Sequence, residues 1–315
     1  MIPHEHCNCC ENESKNHEEE YNSKYEQVFD MYNLHLHDEI EQEEAKKIIS
    51  SKSAENNITE VLKFLFGCIE VTSLKTTDNE DNILKLVERI NEFTNSNPDI
   101  PYPAGICIYP KFVNIVNNSL ETENINISSV TGGFPSSQTF LDIKTIETSL
   151  AIQDGATEID MVMPVGFFLA KDYEMIETEI SEIKQVCGEN IKLKVILETG
   201  ALQTAVNIKK AALLAIYSGA DFIKTSTGKI SVGTTPMAVY VMCKTIKEYY
   251  EKTNIKIGIK IAGGISTTET ALEYYTIVKE VLGKEWLTHD LFRIGTSNLS
   301  NAIISKITGS NTKVF

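Results

Sequence analysis

The chain of 315 residues, 42% hydrophobic and 23% charged, has the composition of a globular protein and not of a disordered or fibrous one. Its net charge of −15 and its lack of a Lys/Arg run argue against nucleic-acid binding, which needs a basic patch. No apolar stretch approaches the ~18 residues of a membrane helix and no secretory signal is visible, so we expect a cytoplasmic protein without a membrane partner. Seven cysteines, an odd number, favour free thiols.

Residues 1–57 are predicted to be an acidic extension. The first 60 residues hold 15 Asp/Glu against 5 Lys/Arg, and their apolar residues lack a regular spacing. This composition predicts a mostly disordered segment with a helical stretch over Tyr25–Ile49. A soft metal could be held by His4, His6, Cys7, Cys9 and Cys10. Because this group lacks the paired spacing of a zinc finger, we favour incidental side chains on a disordered segment.

Histidine placement narrows the chemistry of the rest of the chain. Five of the six histidines lie in the first 37 residues, and only His289 lies beyond them. We therefore do not expect an enzyme in residues 58–308 to use a histidine base or a histidine-bound metal. Most hydrolase and zinc-enzyme classes are disfavoured on this ground, and no metal site is predicted.

From residue 58 onward, short β-rich apolar runs alternate with helical patterns. Strands are predicted at Ile69–Leu74, Gly105–Tyr109, Ser128–Phe134, Glu158–Pro164, Leu193–Thr199, Phe222–Thr227, Ile257–Ala262 and Phe292–Gly295. Helices are predicted at Asp81–Phe93, Leu141–Asp154, Tyr173–Val186, Thr204–Ser218, Pro236–Glu251 and Thr268–Leu282. This alternation indicates an α/β fold, a (β/α)8 TIM barrel over residues 58–308 with a tail at 309–315. A doubly wound sheet is the alternative, but its Gly-rich first turn is absent.

Two neighbouring strands place a lysine at an inward position. In the seventh strand, Gly258, Lys260 and Ala262 share one parity, opposite three isoleucines that suit the layer against the helices. In the sixth strand, Lys224 follows Ile223 and should also face the lumen. Burial and a like-charged neighbour should depress the pKa of these lysines. That favours the neutral amine that attacks a carbonyl group.

The fourth and fifth strands add two further inward charges. Asp160 shares parity with Val162 and should lie near Lys260, where it could shuttle a proton or keep a lysine charged. Lys194 on the fifth strand also has inward parity, and we assign it a structural role. The alternative to a catalytic group is a structural ion-pair network of Lys224, Lys260 and Asp160.

Glycine-rich turns follow the last three strands. They lie at Gly228–Lys229, Gly263–Gly264 and Gly295–Asn298, the last just before a final helix. Each glycine alone is more often a simple turn residue. The loops after strands seven and eight, however, are the usual phosphate cradle of this fold, where backbone N–H groups and a helix N-terminus face the anion. A phosphorylated substrate with a reactive carbonyl group is therefore predicted.

The sequence resembles the deoxyribose-phosphate aldolase family. The run DFIKTSTGK at Asp221–Lys229 looks like the family's Schiff-base signature, and the resemblance covers roughly residues 58–308. Further matches follow in the family's order at Gly105–Phe112, Glu158–Pro164, Lys194–Leu202, Gly258–Ile265 and Arg293–Leu299. The resemblance implies a class I aldolase of deoxyribose catabolism that reversibly cleaves 2-deoxy-D-ribose 5-phosphate to D-glyceraldehyde 3-phosphate and acetaldehyde. It also implies no metal or other cofactor, and an assembly of two or more copies.

The resemblance implies roles for individual residues. Lys224 would form the imine, Lys260 would be the second lysine, and Asp160 would complete a proton relay. Phosphate would be bound by Gly228, Lys229, Gly263, Gly264, Gly295 and Ser297. Substrate would be contacted by Thr72, Cys107 and Thr227. A buried structural thiol explains Cys107 equally well.

Three positions depart from the family pattern. Glu70 stands where many relatives have Asp, Asn298 replaces a serine beside the phosphate site, and Phe315 stands where some relatives have a tyrosine that assists proton transfer. These departures bear on rate and pH dependence. One alternative function is a Schiff-base aldolase for another phosphorylated sugar. The other is a degenerate barrel whose acidic extension recruits partners, against which the retained lysines, Asp160 and phosphate loops argue.

Overall fold

A closed barrel of eight parallel strands dominates the computed structural model, which describes residues 25, 27–122, 124–311 and 314. The strands are β1 Ile69–Thr72, β2 Gly105–Ile108, β3 Asn126–Thr131, β4 Glu158–Val162, β5 Lys192–Ile196, β6 Phe222–Lys224, β7 Gly258–Ala262 and β8 Phe292–Thr296. Each strand pairs with the next, and β8 pairs with β1. The predicted (β/α)8 barrel is confirmed, and the doubly wound alternative is wrong.

Helices surround the barrel and connect its strands. Their bounds are α1 Asp38–Lys52, α2 Thr59–Gly67, α3 Glu80–Ser96, α4 Val113–Ser119, α5 Leu141–Gln153, α6 Val165–Leu169, α7 Tyr173–Cys187, α8 Thr199–Leu202, α9 Ala205–Tyr217, α10 Pro236–Thr253, α11 Thr268–Leu282 and α12 Leu299–Thr308. Short 3-10 helices lie at Ala54–Asn56, Pro110–Phe112 and Lys284–Trp286. The helices predicted between the strands are all present. None of the helices in the described part of the chain is long and apolar enough to span a bilayer.

Strand parity separates an apolar layer from a charged lumen. Ile259 and Ile261 of β7 are fully buried in the main hydrophobic core, which fills the space between barrel and helices. Lys260 lies between them in sequence and has the opposite parity. A Cβ atom on Gly258 would approach the ring of Phe222 to 2.3 Å, so glycine is required where this ring packs into the barrel. The apolar layer stabilises the barrel, and the lumen is left for chemistry.

Capping side chains fix where several helices begin. Asn79 caps α3 in a capping box, and Thr204, Thr235 and Thr267 each accept a backbone N–H from the first turn of α9, α10 and α11. Such caps satisfy N–H groups that have no partner within the helix, at about 0.5–2 kcal/mol each. Because these helices begin at the carboxyl ends of the strands, the caps define the loops on that face.

The segment before residue 58 is ordered over much of its length. The helix α1 packs against α10 and α11, Asp38 Oδ1 accepts the backbone N–H of Ala205 at 2.8 Å, and the hydroxyls of Tyr32 and Tyr217 lie 2.9 Å apart. The helical stretch predicted over Tyr25–Ile49 is thus partly present. Within the extension predicted for residues 1–57, residues 38–56 form α1 and a short 3-10 helix, and α1 packs on the barrel helices.

The remaining terminal predictions fall largely outside the described residues. Residues 1–24, with the cluster at positions 4–10, and the terminal Phe315 are not among them. The helix α12 ends at Thr308, where the predicted tail begins, and the backbone N–H of Val314 donates to Asn301 Oδ1 at 2.7 Å. The cysteines of the described part of the chain are free and buried, at positions 68, 107, 187 and 243, which agrees with the predicted free thiols.

Candidate active site

The barrel brings the three predicted catalytic side chains together. Lys224 on β6 lies directly opposite Lys260 on β7 in the strand register. Both ammonium groups contact the same oxygen of Asp160 on β4, with Nζ–Oδ2 distances of 2.8 Å for Lys224 and 2.5 Å for Lys260. All three side chains are buried. Inward parity on three strands was therefore a sufficient signal to find them.

Small residues around Lys260 make room for its long side chain, as its flanking residues predict. A Cβ atom on Gly295 of β8 would lie 3.1 Å from Lys260 Cε and 3.1 Å from the Cβ of Ala262. Real Cβ contacts are rarely this close, so a larger residue at position 295 would push on the lysine. Gly295 therefore positions Lys260 as well as lining the loop after β8.

Four further charged groups, all in the lumen, extend this constellation. They are Glu70 on β1, Glu158 on β4, Lys194 on β5 and Arg293 on β8. Lys194 Nζ lies 2.9 Å from Asp160 Oδ1 and 2.7 Å from Glu158 Oε2. Arg293 pairs with Glu158 at 3.1 Å, and Lys260 also contacts Glu70. The predicted ion-pair network is thus real, but it is larger than three residues and includes the candidate catalytic groups.

Sequence reasoning missed two members of this network, Glu158 and Arg293. Glu158 shares inward parity with Asp160, and Arg293 shares it with Gly295, so the signal was present in the strand pattern. What the pattern could not give is the pairing, because Arg293 and Glu158 lie 135 positions apart and meet across the lumen. Glu70 also lies in this network, within reach of Lys194, Lys260 and Arg293.

For Asp160 and Lys260, neighbouring charges outweigh burial in setting the direction of the pKa shift. Burial alone would raise the pKa of Asp160, but the charges of Lys194, Lys224 and Lys260 outweigh it and hold that pKa well below its usual range. Burial alone would likewise lower the pKa of Lys260, yet Asp160, Cys107 and Glu70 raise it above its usual value. The depressed pKa predicted for Lys260 is therefore wrong, because three negatively charged or ionisable groups surround its ammonium group.

Lys224 differs from Lys260 in two ways that bear on nucleophilic attack. Lys224 lines an open cavity at the mouth of the barrel, whereas Lys260 lies beneath it and is fully buried. Lys224 meets one carboxylate within ion-pair distance, that of Asp160, among the residues that the structure describes. Lys260 meets two, those of Asp160 and Glu70. Lys224, whose amine can reach a ligand in the cavity, is thus also the lysine of the two that has fewer carboxylates near its charge.

The cavity has a volume of about 400 Å³ and opens at the carboxyl ends of β6, β7, β8 and β1. The predicted site residues that line it are Thr72, Lys224, Thr227, Gly228, Lys229, Gly263, Gly264, Gly295 and Ser297. Lining residues that the sequence reasoning did not assign include Lys75, Ser266 and Thr296. Gly228, Gly263 and Gly264 have φ values of +74°, +99° and +84°, where a side chain would be strained. The predicted phosphate loops therefore converge on one cavity above Lys224.

Cys107 and Thr227 have protein partners in this site. The Sγ atom of Cys107 lies 3.9 Å from Asp160 Oδ2, and Cys107 is not among the residues that line the cavity. Burial raises the pKa of the Cys107 thiol. The hydroxyl of Thr227 donates to Glu198 Oε2 at 2.5 Å. Glu198 is buried, and its backbone adopts the left-handed conformation with φ at 57°. Glu198, which sequence reasoning missed, thereby anchors the loop after β6.

Lys229 crosses the mouth of the cavity. Its side chain extends from the loop after β6 and donates to the backbone carbonyl of Leu74 in the loop after β1. Lys75, the next residue of that loop, also lines the cavity. Two lysines therefore lie at the rim beside the glycine-rich loops, and an anion entering the cavity meets positive charge there.

The donor set does not favour a metal ion. The side chains of Glu70, Cys107 and Asp160 converge, with potential ligand atoms within 4.8 Å of one another. The ammonium group of Lys260, however, bonds both carboxylates of this group, and Lys194 approaches both as well. A divalent cation would have to displace or neutralise these lysines.

Comparisons with known proteins give consistent results. A profile of the DeoC/LacD family aldolases matches residues 70–279. A putative deoxyribose-phosphate aldolase of Caenorhabditis elegans is 42% identical over 233 residues, which cover 73% of this chain and 76% of the relative. The deoxyribose-phosphate aldolase of Homo sapiens is 39% identical over 249 residues, 76% of this chain and 78% of the relative.

Solved structures match the fold. The crystal structure of a putative deoxyribose-phosphate aldolase from Toxoplasma gondii ME49 superposes with a TM-score of 0.71 at 24% identity, and the match covers 82% of this chain and 97% of that one. At this identity the match supports the barrel alone.

Proposed function

The chain belongs to the DeoC/LacD aldolase family, and from this premise we propose that it is a deoxyribose-phosphate aldolase. It is a class I aldolase that cleaves 2-deoxy-D-ribose 5-phosphate to D-glyceraldehyde 3-phosphate and acetaldehyde, and catalyses the reverse addition. The curated relatives described above carry this activity in their names.

One observation supports the chemistry more than any other. The amine of Lys224 lines the cavity and shares Asp160 Oδ2 with Lys260. A carbonyl group in the cavity can therefore meet an amine that has a proton-transfer partner at 2.8 Å. Effective nucleophilic lysines need such a partner, because an amine must lose a proton before it attacks and regain one in later steps.

The reaction then follows from the chemistry of an imine. Lys224 Nζ adds to the C1 aldehyde of the open-chain sugar, and loss of water gives a protonated imine. The hydroxyl at C3 loses its proton, the C2–C3 bond breaks, and its electrons pass to the imine nitrogen. This releases D-glyceraldehyde 3-phosphate and leaves an enamine. Protonation at C2 and hydrolysis release acetaldehyde and return the free amine.

Asp160 and Lys260 serve the proton transfers of this sequence. The carboxylate of Asp160 contacts both lysines through one oxygen, so a proton can move between the two amines by way of a single acceptor. Lys260 is held charged by its surroundings, so Lys224 is the amine of the pair that becomes neutral and attacks the carbonyl group. Asp160 is ionised at rest, where it orients both ammonium groups, and it is protonated only while it passes a proton between them.

The phosphate of the substrate binds in the glycine-rich loops. Gly228, Gly263–Gly264 and Gly295–Ser297 line this part of the cavity next to the start of α12, and their backbone N–H groups would bind the phosphate. Lys229 leaves the carbonyl of Leu74 and pairs with the phosphate. Thr72, which also lines the cavity, contacts the sugar. This arrangement favours a substrate that has a carbonyl group and a phosphate at opposite ends.

Location, pathway and assembly are parts of the same proposal. The enzyme acts in the cytoplasm, in the catabolism of deoxyribose from deoxynucleotides, without a metal. It works as a homo-oligomer of two or more copies. Light scattering coupled to size-exclusion chromatography measures the assembly, and a monomer at micromolar concentration would contradict that part.

A cleavage assay tests the function itself. We expect the purified chain to release acetaldehyde from 2-deoxyribose 5-phosphate, measured as NADH consumption by added alcohol dehydrogenase. Ribose 5-phosphate, which adds one hydroxyl at C2 and would release glycolaldehyde in place of acetaldehyde, should be cleaved at least about 100-fold more slowly, with the common product D-glyceraldehyde 3-phosphate measured for both sugars. Equal cleavage of the two sugars would indicate an aldolase for another phosphorylated sugar, and no cleavage of either would contradict the proposal.

A further inference from the structure

Asp160 divides its two oxygens between different lysines. Oδ2 contacts Lys224 at 2.8 Å and Lys260 at 2.5 Å, whereas Oδ1 accepts a hydrogen bond from Lys194 at 2.9 Å. A carboxylate is planar and the aspartate side chain is short. Fixing Oδ1 therefore fixes where Oδ2 lies and which way its lone pairs point.

Lys194 is itself held firmly, and it does not reach the substrate. Its Nζ atom contacts Ser128 Oγ at 3.0 Å, Glu158 Oε2 at 2.7 Å and Glu70 Oε1 at 3.5 Å. Its side chain is fully buried, and it is not among the residues that line the cavity. In the strand register it lies directly opposite Asp160. Any effect of Lys194 on the reaction must therefore pass through its neighbours.

The charges of the lumen do not cancel. Four cationic groups face three carboxylates, and these seven groups are Lys194, Lys224, Lys260, Arg293, Glu70, Glu158 and Asp160. With every group ionised, one positive charge is left over. Lys194 meets three carboxylates, Lys260 and Arg293 meet two each, and Lys224 meets one. Besides these groups, Cys107 from β2 and Ser128 from β3 face the cluster. The excess charge is thus least compensated at Lys224.

We propose that Lys194 is a positioning residue for the aldol reaction. It holds Oδ1 of Asp160 so that Oδ2 faces Lys224 and Lys260, and its charge belongs to the excess of one positive charge that disappears when Lys224 loses one proton. The loss of that single proton brings the network to three positive and three negative charges. This inference rests on the proposed Schiff-base function and adds a role for a lysine that does not touch substrate.

The variant Lys194→Met tests both parts of the proposal. We expect kcat for 2-deoxyribose 5-phosphate to fall at least about tenfold with KM nearly unchanged, because Asp160 loses its fixed position. We also expect the acid limb of the kcat/KM profile to move up by about one pH unit, because removal of a nearby like charge makes Lys224 hold its proton more tightly.

Lys209→Met is the matched control. Lys209 is also a buried lysine in an ion pair, 2.6 Å from Glu248, but it lies on the outer helix α9. Its replacement should lower stability and leave the acid limb unmoved. A Lys194→Met enzyme with the wild-type kcat and acid limb, or with changes no larger than those of Lys209→Met, would overturn the inference.

A second substitution separates charge from position. The double variant Lys194→Met/Glu158→Gln again has one more cation than carboxylates in the network. We expect its acid limb to return toward the wild-type pH, while kcat stays low because Oδ1 of Asp160 still lacks its partner. If the acid limb does not return, the charge part of the proposal is wrong.

Ser128→Ala keeps the proposal testable if the Lys194 variants fail to fold. This change removes one contact of Lys194 and leaves every charge in place. It should lower kcat by about two- to fivefold without moving the acid limb, and an unchanged kcat would count against positioning. Borohydride trapping of the wild-type chain keeps the two proposals apart, because the absence of any adduct would refute the Schiff-base function and not the role of Lys194 alone.

Discussion

In the described part of this protein, buried lysines occur both in the barrel lumen and among the outer helices, and the two settings differ in charge balance. Between the outer helices α5 and α7, Lys144 and Glu179 form a pair at 2.6 Å, with Ser137 as a further partner of the lysine at 2.8 Å. In the lumen, four cations share three carboxylates. The outer pair is matched one to one, which suits a structural role. The lumen keeps one positive charge in excess, so one of its lysines can become neutral without leaving a carboxylate unpaired.

The largest expected effect is that of replacing Lys224, the lysine at which the excess positive charge of the lumen is least compensated. Lys224→Ala should lower kcat by more than about 10⁴-fold, because among the described residues the other lysines that line the cavity, Lys75 and Lys229, lie at its rim. The acetaldehyde assay measures this loss, and circular dichroism checks that the variant folds. Lys144→Met changes a buried lysine of the balanced pair and should retain most of the activity. Substantial turnover by the Lys224 variant would remove the distinction between the two regions.

Acid unfolding should distinguish the two regions further, because the pKa of Asp160 is lowered and the pKa of Glu179 is raised. The lysines of the lumen hold the pKa of Asp160 below its usual range, so its contribution to stability is present above about pH 4 and is lost as the pH falls through the folded-state pKa. Burial raises the pKa of Glu179, against the opposing effect of Lys144. Its contribution is present at low pH and is lost as the pH rises through the folded-state pKa.

Urea unfolding between about pH 6 and pH 3 measures this difference. The free energy of unfolding of the wild type should fall toward pH 3. The Asp160→Asn variant, compared with the wild type, should show a shallower fall over this range. The Glu179→Gln variant should keep the full fall or show a steeper one. A steeper acid-side slope in the Asp160 variant would contradict the assigned direction.

A smaller effect is expected from replacing Lys229 at the rim of the cavity. Lys229→Ala should raise KM for 2-deoxyribose 5-phosphate by about tenfold with kcat within about twofold, because an exposed cation contributes binding and not chemistry. Cleavage of unphosphorylated 2-deoxyribose serves as the control and should be unaffected. If the variant instead lost kcat with both sugars, Lys229 would belong with the lumen network and not with the phosphate loops.

Much of the fold was readable from the sequence because periodicity reports burial directly. The isoleucines flanking Lys260 fixed which side of β7 faces the helices, and the small residues of opposite parity indicated room for a lysine. The segment around α1 was harder to read. Its sequence is rich in Glu and Lys, but Tyr25, Phe29 and Tyr32 are spaced as one face of a helix and are all buried. That spacing was an available signal.

The site was less predictable where function depends on pairing across the lumen. Parity points Glu158 and Arg293 inward, but which carboxylate meets which cation depends on register and side-chain reach. The depressed pKa predicted for Lys260 was wrong, whereas the alternative that Asp160 keeps a lysine charged agrees with the direction of the shift, to which Glu70 adds. The left-handed conformation of Glu198 and its contact with Thr227 leave no trace in the spacing of residues.

Borohydride trapping followed by peptide mapping tests the central claim most directly. The purified chain is mixed with 2-deoxyribose 5-phosphate or acetaldehyde, reduced, digested and analysed by mass spectrometry. The account predicts one reduced adduct, on Lys224, and none on Lys260, Lys194 or Lys144. An adduct on Lys260 would exchange the roles of the two lysines. No adduct on a folded protein that cleaves the sugar would contradict the account.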